Sequence, residues 1–66
     1  MKLTVNKKTI DAAEGTTLAQ LLEQQSIPSQ GTAAALNNRV IPRAEYATTR
    51  LSEGDNILII KAFYGG

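Results

Sequence analysis

The sequence contains one group whose setting suggests chemistry, the carboxyl group at the end of Ala62-Phe63-Tyr64-Gly65-Gly66. There are no Cys and no His among the 66 residues, so the usual side-chain nucleophile and general base are both missing. The six carboxylates, Asp11, Glu14, Glu23, Glu45, Glu53 and Asp55, have no spacing that pairs two of them in a cleft. An autonomous enzyme is therefore not expected. At an average glycine frequency of ~7%, two specified positions are both Gly in about 0.5% of chains, so the doublet needs an explanation beyond fraying. Frayed tails are polar, whereas Ile57, Leu58, Ile59, Ile60, Ala62 and Phe63 carry strand-forming residues almost up to the glycines. Glycine has no Cβ and accepts both signs of φ, so Gly65 and Gly66 suit passage through a narrow channel. A terminal carboxylate is ionised at pH 7, its unperturbed pKa being about 3.3 to 3.7, and is a poor electrophile. Another protein has to activate it. If the sheet ends near Lys61, residues 62–66 reach at most ~16 to 18 Å, enough to place the last carboxylate inside a partner.

The rest of the composition limits the alternatives. Sixty-six residues make one domain, read here as residues 1–66 with 62–66 as an extended tail. Such a chain buries only about 60% of the surface its unfolded form exposes, which leaves no room for an enclosed cavity beside the core. Without Cys or His a disulfide is impossible and a structural zinc site is not expected, so packing must supply the stability. The net charge of +1 is spread over Lys2, Lys7, Lys8, Arg39, Arg43, Arg50 and Lys61, with no basic run interleaved with aromatics, so no nucleic-acid partner is expected. Residues 1–6 lack the apolar stretch of a signal peptide, and no segment approaches the ~20 apolar residues of a membrane span. The expectation is a cytoplasmic protein that is monomeric alone.

Several elements must position the tail. Met1, Leu3 and Val5 alternate with Lys2, Thr4 and Asn6, which predicts a strand over Lys2 to Asn6. After a polar break at Asn6-Lys7-Lys8, Thr9 to Ala13 predicts a second strand and closes a hairpin. Thr17 and Gln20 have the spacing of a capping box. Leu18, Leu21 and Leu22 then form one apolar stripe of a helix ending by Gln25 or Ser26, before Pro28. Thr32 to Leu36, despite three alanines, reads as a strand because the turn signal Asn37-Asn38 and the β-branched Arg39-Val40-Ile41 follow it. Pro42 to Tyr46 fits one helical turn, with Tyr46 and Leu51 covering one end of the core. Ser52-Glu53-Gly54-Asp55 is a turn.

Asn56 to Phe63 is the last strand, and it is apolar on both faces: Ile57 and Ile59 on one, Leu58 and Ile60 on the other. With one helix in the sequence only one face can be well covered. Leu58 and Ile60 are therefore expected to be exposed as a docking surface for a protein partner.

The order strand, strand, helix, strand, short helical turn, strand implies an α+β fold. Right-handed crossover through the helix puts the first and last strands side by side and parallel at the centre of a mixed four- to five-stranded sheet. That is the β-grasp, or ubiquitin-like, architecture. At this length the chain resembles the ThiS family of sulfur carriers of thiamine biosynthesis. The resemblance covers the whole chain and rests on Asn37, Val40, Pro42-Arg43, Leu51, Gly54-Asp55, Ile57 and Gly65-Gly66, with Thr17 to Leu22 matching the helix. Tyr46 departs from the larger aromatic, such as Trp, that the family leads one to expect there, a difference of packing rather than chemistry.

The resemblance implies a mechanism. A ThiF-like adenylating enzyme, which holds the ATP and Mg²⁺, would adenylate the Gly66 carboxylate. A cysteine desulfurase-type donor would supply the sulfur that makes a thiocarboxylate on Gly66, and a ThiG-like thiazole synthase would accept it. Gly65 would give passage, Tyr64 and Phe63 would lead the tail in, and Arg39 and Arg43 would add polar contacts at the rim or remain solvated. No cofactor would be bound by this chain itself. A molybdopterin-type sulfur carrier, which tends to be longer, a non-covalent β-grasp interaction module and a protein modifier conjugated to lysines are the alternatives.

Overall fold

The computed structural model describes residues 1–28 and 31–61, Lys61 by its backbone. The strands β1 (Lys2–Val5), β2 (Lys8–Asp11), β3 (Thr32–Leu36), β4 (Arg39–Ile41) and β5 (Asn56–Lys61) form one five-stranded sheet in the order β2-β1-β5-β3-β4. β1 and β5 run parallel at its centre, and the other three pairings are antiparallel. This is the ubiquitin-like β-grasp arrangement expected from the order of elements.

Both hairpins close through two-residue turns in which each central residue has positive φ: Asn6 and Lys7 at 51° and 70°, Asn37 and Asn38 at 51° and 71°. That is the turn whose twist matches the strands, and it fixes the registers Val5 opposite Lys8 and Leu36 opposite Arg39. It also moves two expected boundaries. The turn takes Asn6 and Lys7, so β1 ends at Val5 rather than Asn6 and β2 begins at Lys8 rather than Thr9; at its far end β2 stops at Asp11 rather than Ala13. Ala12 remains buried, donating its N–H to the Met1 carbonyl at 2.9 Å.

The helix α1 (Leu18–Gln24) begins as the capping box requires. Gln20 N donates to Thr17 Oγ1 at 3.2 Å and Thr17 N donates to Gln20 Oε1 at 2.9 Å. The next two amides find carbonyls far along the chain: Leu18 N to Thr49 O at 2.8 Å and Ala19 N to Tyr46 O at 3.0 Å. The short 3-10 turn Arg43–Glu45 and the residues after it thereby anchor the start of the helix. At the other end Ser26, φ 58°, reverses the chain, with Ile27 N bonded to Leu22 O at 2.8 Å and Ser26 N to Glu23 O at 3.1 Å. This is a Schellman stop with serine in the place that usually holds glycine.

Leu18, Leu21 and Leu22 press onto one face of the sheet, where Leu3, Val5, Ala34 and Ile57 lie buried; Tyr46 and Leu51 close one end of this core. Among the described residues this α-helix is the only one, so the opposite face of the sheet has no helix over it.

Candidate functional site

β5 lies between β1 and β3 and leads directly to the C-terminal segment. Gly65, Gly66, Tyr64 and Phe63, singled out from the sequence, lie outside the described residues, as does Ala62. The strand that precedes them is anchored at its start. Asn37 Nδ2 donates to Asp55 Oδ1 at 3.0 Å, and the Asn37 Oδ1 atom accepts from Asn56 N at 2.9 Å. Asp55 Oδ2 accepts from Ser52 N at 2.7 Å, while Thr4 Oγ1 donates to Asn56 Oδ1 at 2.8 Å. One side chain of the β3–β4 turn is thus bonded to the first residue of β5 and to the residue before it. Gly54 has φ 84° in the turn before, with nothing within 4 Å of where a Cβ would stand, so conformation rather than space selects glycine there.

Further along β5 the side chains alternate as expected. Ile57 is fully buried beneath the helix, while Leu58 and Ile60 point to the open face at 45% and 49% exposure. Leu58 stands opposite Ala35 of β3, and Ala35 stands opposite Val40 of β4; Ile60 stands opposite Ala33. The small alanines form a low floor between taller neighbours. Val40, 67% exposed, therefore extends the apolar patch across three strands. Val40 was not among the residues expected on the exposed face. Two turn residues after Leu36 set it opposite Ala35, but only the β3–β5 register brings Ala35 beside Leu58.

The open face has a second character on its other side. On β1 and β2 it presents Lys2, Thr4, Thr9 and Asp11, with Lys2 Nζ 3.1 Å from Asp11 Oδ1, both side chains well exposed. Arg39 and Arg43 are exposed but belong to the helix side of the sheet: Arg39 stands opposite Leu36, which stands opposite Ile57, and Arg43 lines a shallow groove with Ala19, Leu22 and Ile27. Neither takes part in an ion pair among the described residues, and the expected place at the rim of the apolar patch is not where the fold puts them. No group of three or more His, Cys, Asp or Glu side chains among the described residues is placed to hold a metal ion. None of the described helices is long and apolar enough to cross a membrane.

A mixed five-stranded sheet with one helix on one face and an apolar half on the other defines a small protein of the ubiquitin-like class. A ubiquitin-like protein from Caldiarchaeum subterraneum has the same fold, with a TM-score of 0.50 at 15% identity over 97% of this chain and 96% of that one. The closer likenesses are more specific. The ThiS family model matches residues 1–66, and the chain belongs to the ThiS family. It is 33% identical over 66 residues to the sulfur carrier protein ThiS of Escherichia coli (strain K12), covering all of both chains. The crystal structure of the thiamine biosynthesis protein ThiS from Geobacter metallireducens matches over the full length of both chains with a TM-score of 0.85 at 29% identity. A solution structure of a thiamine biosynthesis protein from the same organism matches with a TM-score of 0.75 at 32% identity, over all of this chain and 87% of that one.

Proposed function

We propose that this chain carries sulfur for thiamine biosynthesis as a thiocarboxylate on Gly66, and that separate enzymes load and unload it. The observation that carries the reading is the end-to-end likeness to a sulfur carrier protein in a chain with neither Cys nor His. With no thiol of its own, such a protein can hold sulfur covalently only through an acyl group. Nor does the chain supply the usual groups for activating that acyl group.

The chemistry then has a required order. An adenylating enzyme holding ATP and Mg²⁺ joins AMP to the Gly66 carboxylate and releases pyrophosphate. The terminal sulfur of a persulfide, formed by a cysteine desulfurase-type donor, attacks the acyl carbon and expels AMP, giving an acyl disulfide. A second thiol of the loading machinery breaks the S–S bond, leaving as a disulfide with its partner sulfur and freeing the thiocarboxylate. That sulfur is a nucleophile for a thiazole synthase. Once the C–S bond to Gly66 is hydrolysed, the ordinary carboxylate is restored.

Gly65 allows the end to pass a narrow channel, and Tyr64 and Phe63 lead into it. Leu58, Ile60 and Val40 form the docking face, while Arg39 and Arg43, on the helix side, stay solvated. The apolar area is on the order of a few hundred Å², less than a stable homodimer needs. Such a patch suits a partner that binds, works on the tail and lets go.

The test is growth without thiamine of a bacterium lacking its own sulfur carrier. The intact chain is expected to restore growth. A chain lacking Gly66, or extended by one residue after it, is expected to fail while melting at the same temperature. Growth supported by the extended chain would overturn the scheme.

A further inference from the structure

β5 is longer than the strand beside it. β1 stops pairing after Val5, opposite Ile57, and the Asn6-Lys7 turn takes the chain away into β2, whereas β5 continues to Lys61. The hydrogen-bonding directions along β5 alternate. The carbonyls of Asp55 and Ile57 accept from Thr4 N at 3.0 Å and Asn6 N at 2.9 Å, and Ile59 N donates to Asn6 Oδ1 at 2.8 Å, so odd-numbered residues address β1. The Asn56 carbonyl accepts from Asn37 N at 2.8 Å, so even-numbered residues address β3. By this alternation the Ile59 carbonyl and the Lys61 N–H point into the lane that β1 leaves at Asn6. The Asn6 side chain extends the ladder by one bond and ends it.

We propose that the partner receiving the C-terminal segment adds an extended strand in this vacated lane, exchanging main-chain hydrogen bonds with the Ile59 carbonyl and the Lys61 N–H. The inference rests on the reading that residues 62–66 enter a partner. Continuity selects the occupant, since Lys61 adjoins in sequence the segment that such a partner takes up. Charge adds to it. The exposed Lys7 and Lys8 bound the lane, whereas Asp11, Glu53 and Asp55 lie at the other end of the central strands, where Glu53 Oε1 accepts from Lys2 N at 3.0 Å. The added segment accordingly carries acidic side chains where it passes the turn.

The adenylating enzyme of the pathway is the probe. Relative to Lys61→Ala, which removes the same side chain but keeps the N–H, Lys61→Pro is expected to bind it about tenfold more weakly. The isolated variant keeps its sheet, because the lost N–H faces away from β3. Equal binding by the two variants would overturn the proposal. If Lys61→Pro melts early, hydrogen exchange on the unaltered chain decides: the Lys61 amide is protected when the enzyme is added, and an unprotected amide in the complex counts against the strand. Protection that grows with the chain's own concentration, without enzyme, would assign the lane to a second copy and also overturn it. Thiocarboxylate on Gly66 is measured in the same samples. Sulfur loaded without Lys61 protection removes the added strand and leaves the carrier role intact; no sulfur loaded on the unaltered chain removes the carrier role.

Discussion

The two ends of β5 are built in opposite ways. At Asp55 and Asn56 the strand is tied by hydrogen bonds from three directions: the Asn37 side chain from the β3–β4 turn, the Thr4 hydroxyl from β1 and the Ser52 backbone N–H from the preceding turn. At Ile59 to Lys61 it has β3 on one side and, on the other, a single side-chain acceptor from Asn6. Between them Ile57 is locked into the core. A strand fixed at its origin and left open at its exit suits a scaffold that must hold still while its end is handled by other proteins. Stability should therefore be lost most readily by changes at the core and the origin, and partner binding by changes at the exit and the open face.

The largest effect tests the middle of the strand. Ile57→Ala removes a fully buried side chain and should cost about 3 kcal/mol or more, read as a lower urea midpoint with an unchanged slope. For a domain this small, that is a large share of its total stability. Next, Asp55→Ala breaks two hydrogen bonds at the origin and should cost about 1 to 2 kcal/mol, seen in the same titration. A loss well below that would mean that the network follows the fold rather than fastening it.

The exit side should answer differently. Val40→Ser takes a mostly exposed side chain from the open face and should change folding stability by no more than about 0.5 kcal/mol, whereas Leu58→Ser, at a side chain more than half covered, should cost about 1 kcal/mol. With either, binding to the adenylating enzyme, measured by calorimetry, should weaken several-fold. A serine at Val40 that unfolds the protein while leaving binding alone would reverse the assignment of the two regions. The smallest effect is a gain: Ser26→Gly relieves the left-handed residue at the helix stop and should raise the melting temperature by an amount equivalent to several tenths of a kcal/mol.

Much of this was legible in the residues themselves. The Leu18, Leu21 and Leu22 stripe, the Thr17–Gln20 capping box and the two-sided apolar β5 all depend on short-range spacing, and each took the expected form. β3 was recognised despite its helix-favouring alanines because Asn37-Asn38 demanded a turn just beyond it. Other features depend on where distant segments meet. The Asn37 side chain was readable as a turn former, but its bonds to Asp55 and Asn56 exist only once the hairpin lies against β5. Asn6 likewise reads as a polar break until the parallel pairing sets its side chain against Ile59 N. Val40 was missed because its face follows from a register, not from its neighbours in sequence. Phe63, Tyr64, Gly65 and Gly66 rest on the sequence and on the family, being outside the described residues.

Sulfur loading on Gly66 is measured most directly by the intact mass of the protein after incubation with an adenylating enzyme, ATP and a persulfide donor. A gain equal to the replacement of one oxygen by sulfur is expected, located by fragmentation at Gly66 and absent when ATP is withheld. An unchanged mass under conditions that load another sulfur carrier, or sulfur found anywhere but Gly66, would contradict it.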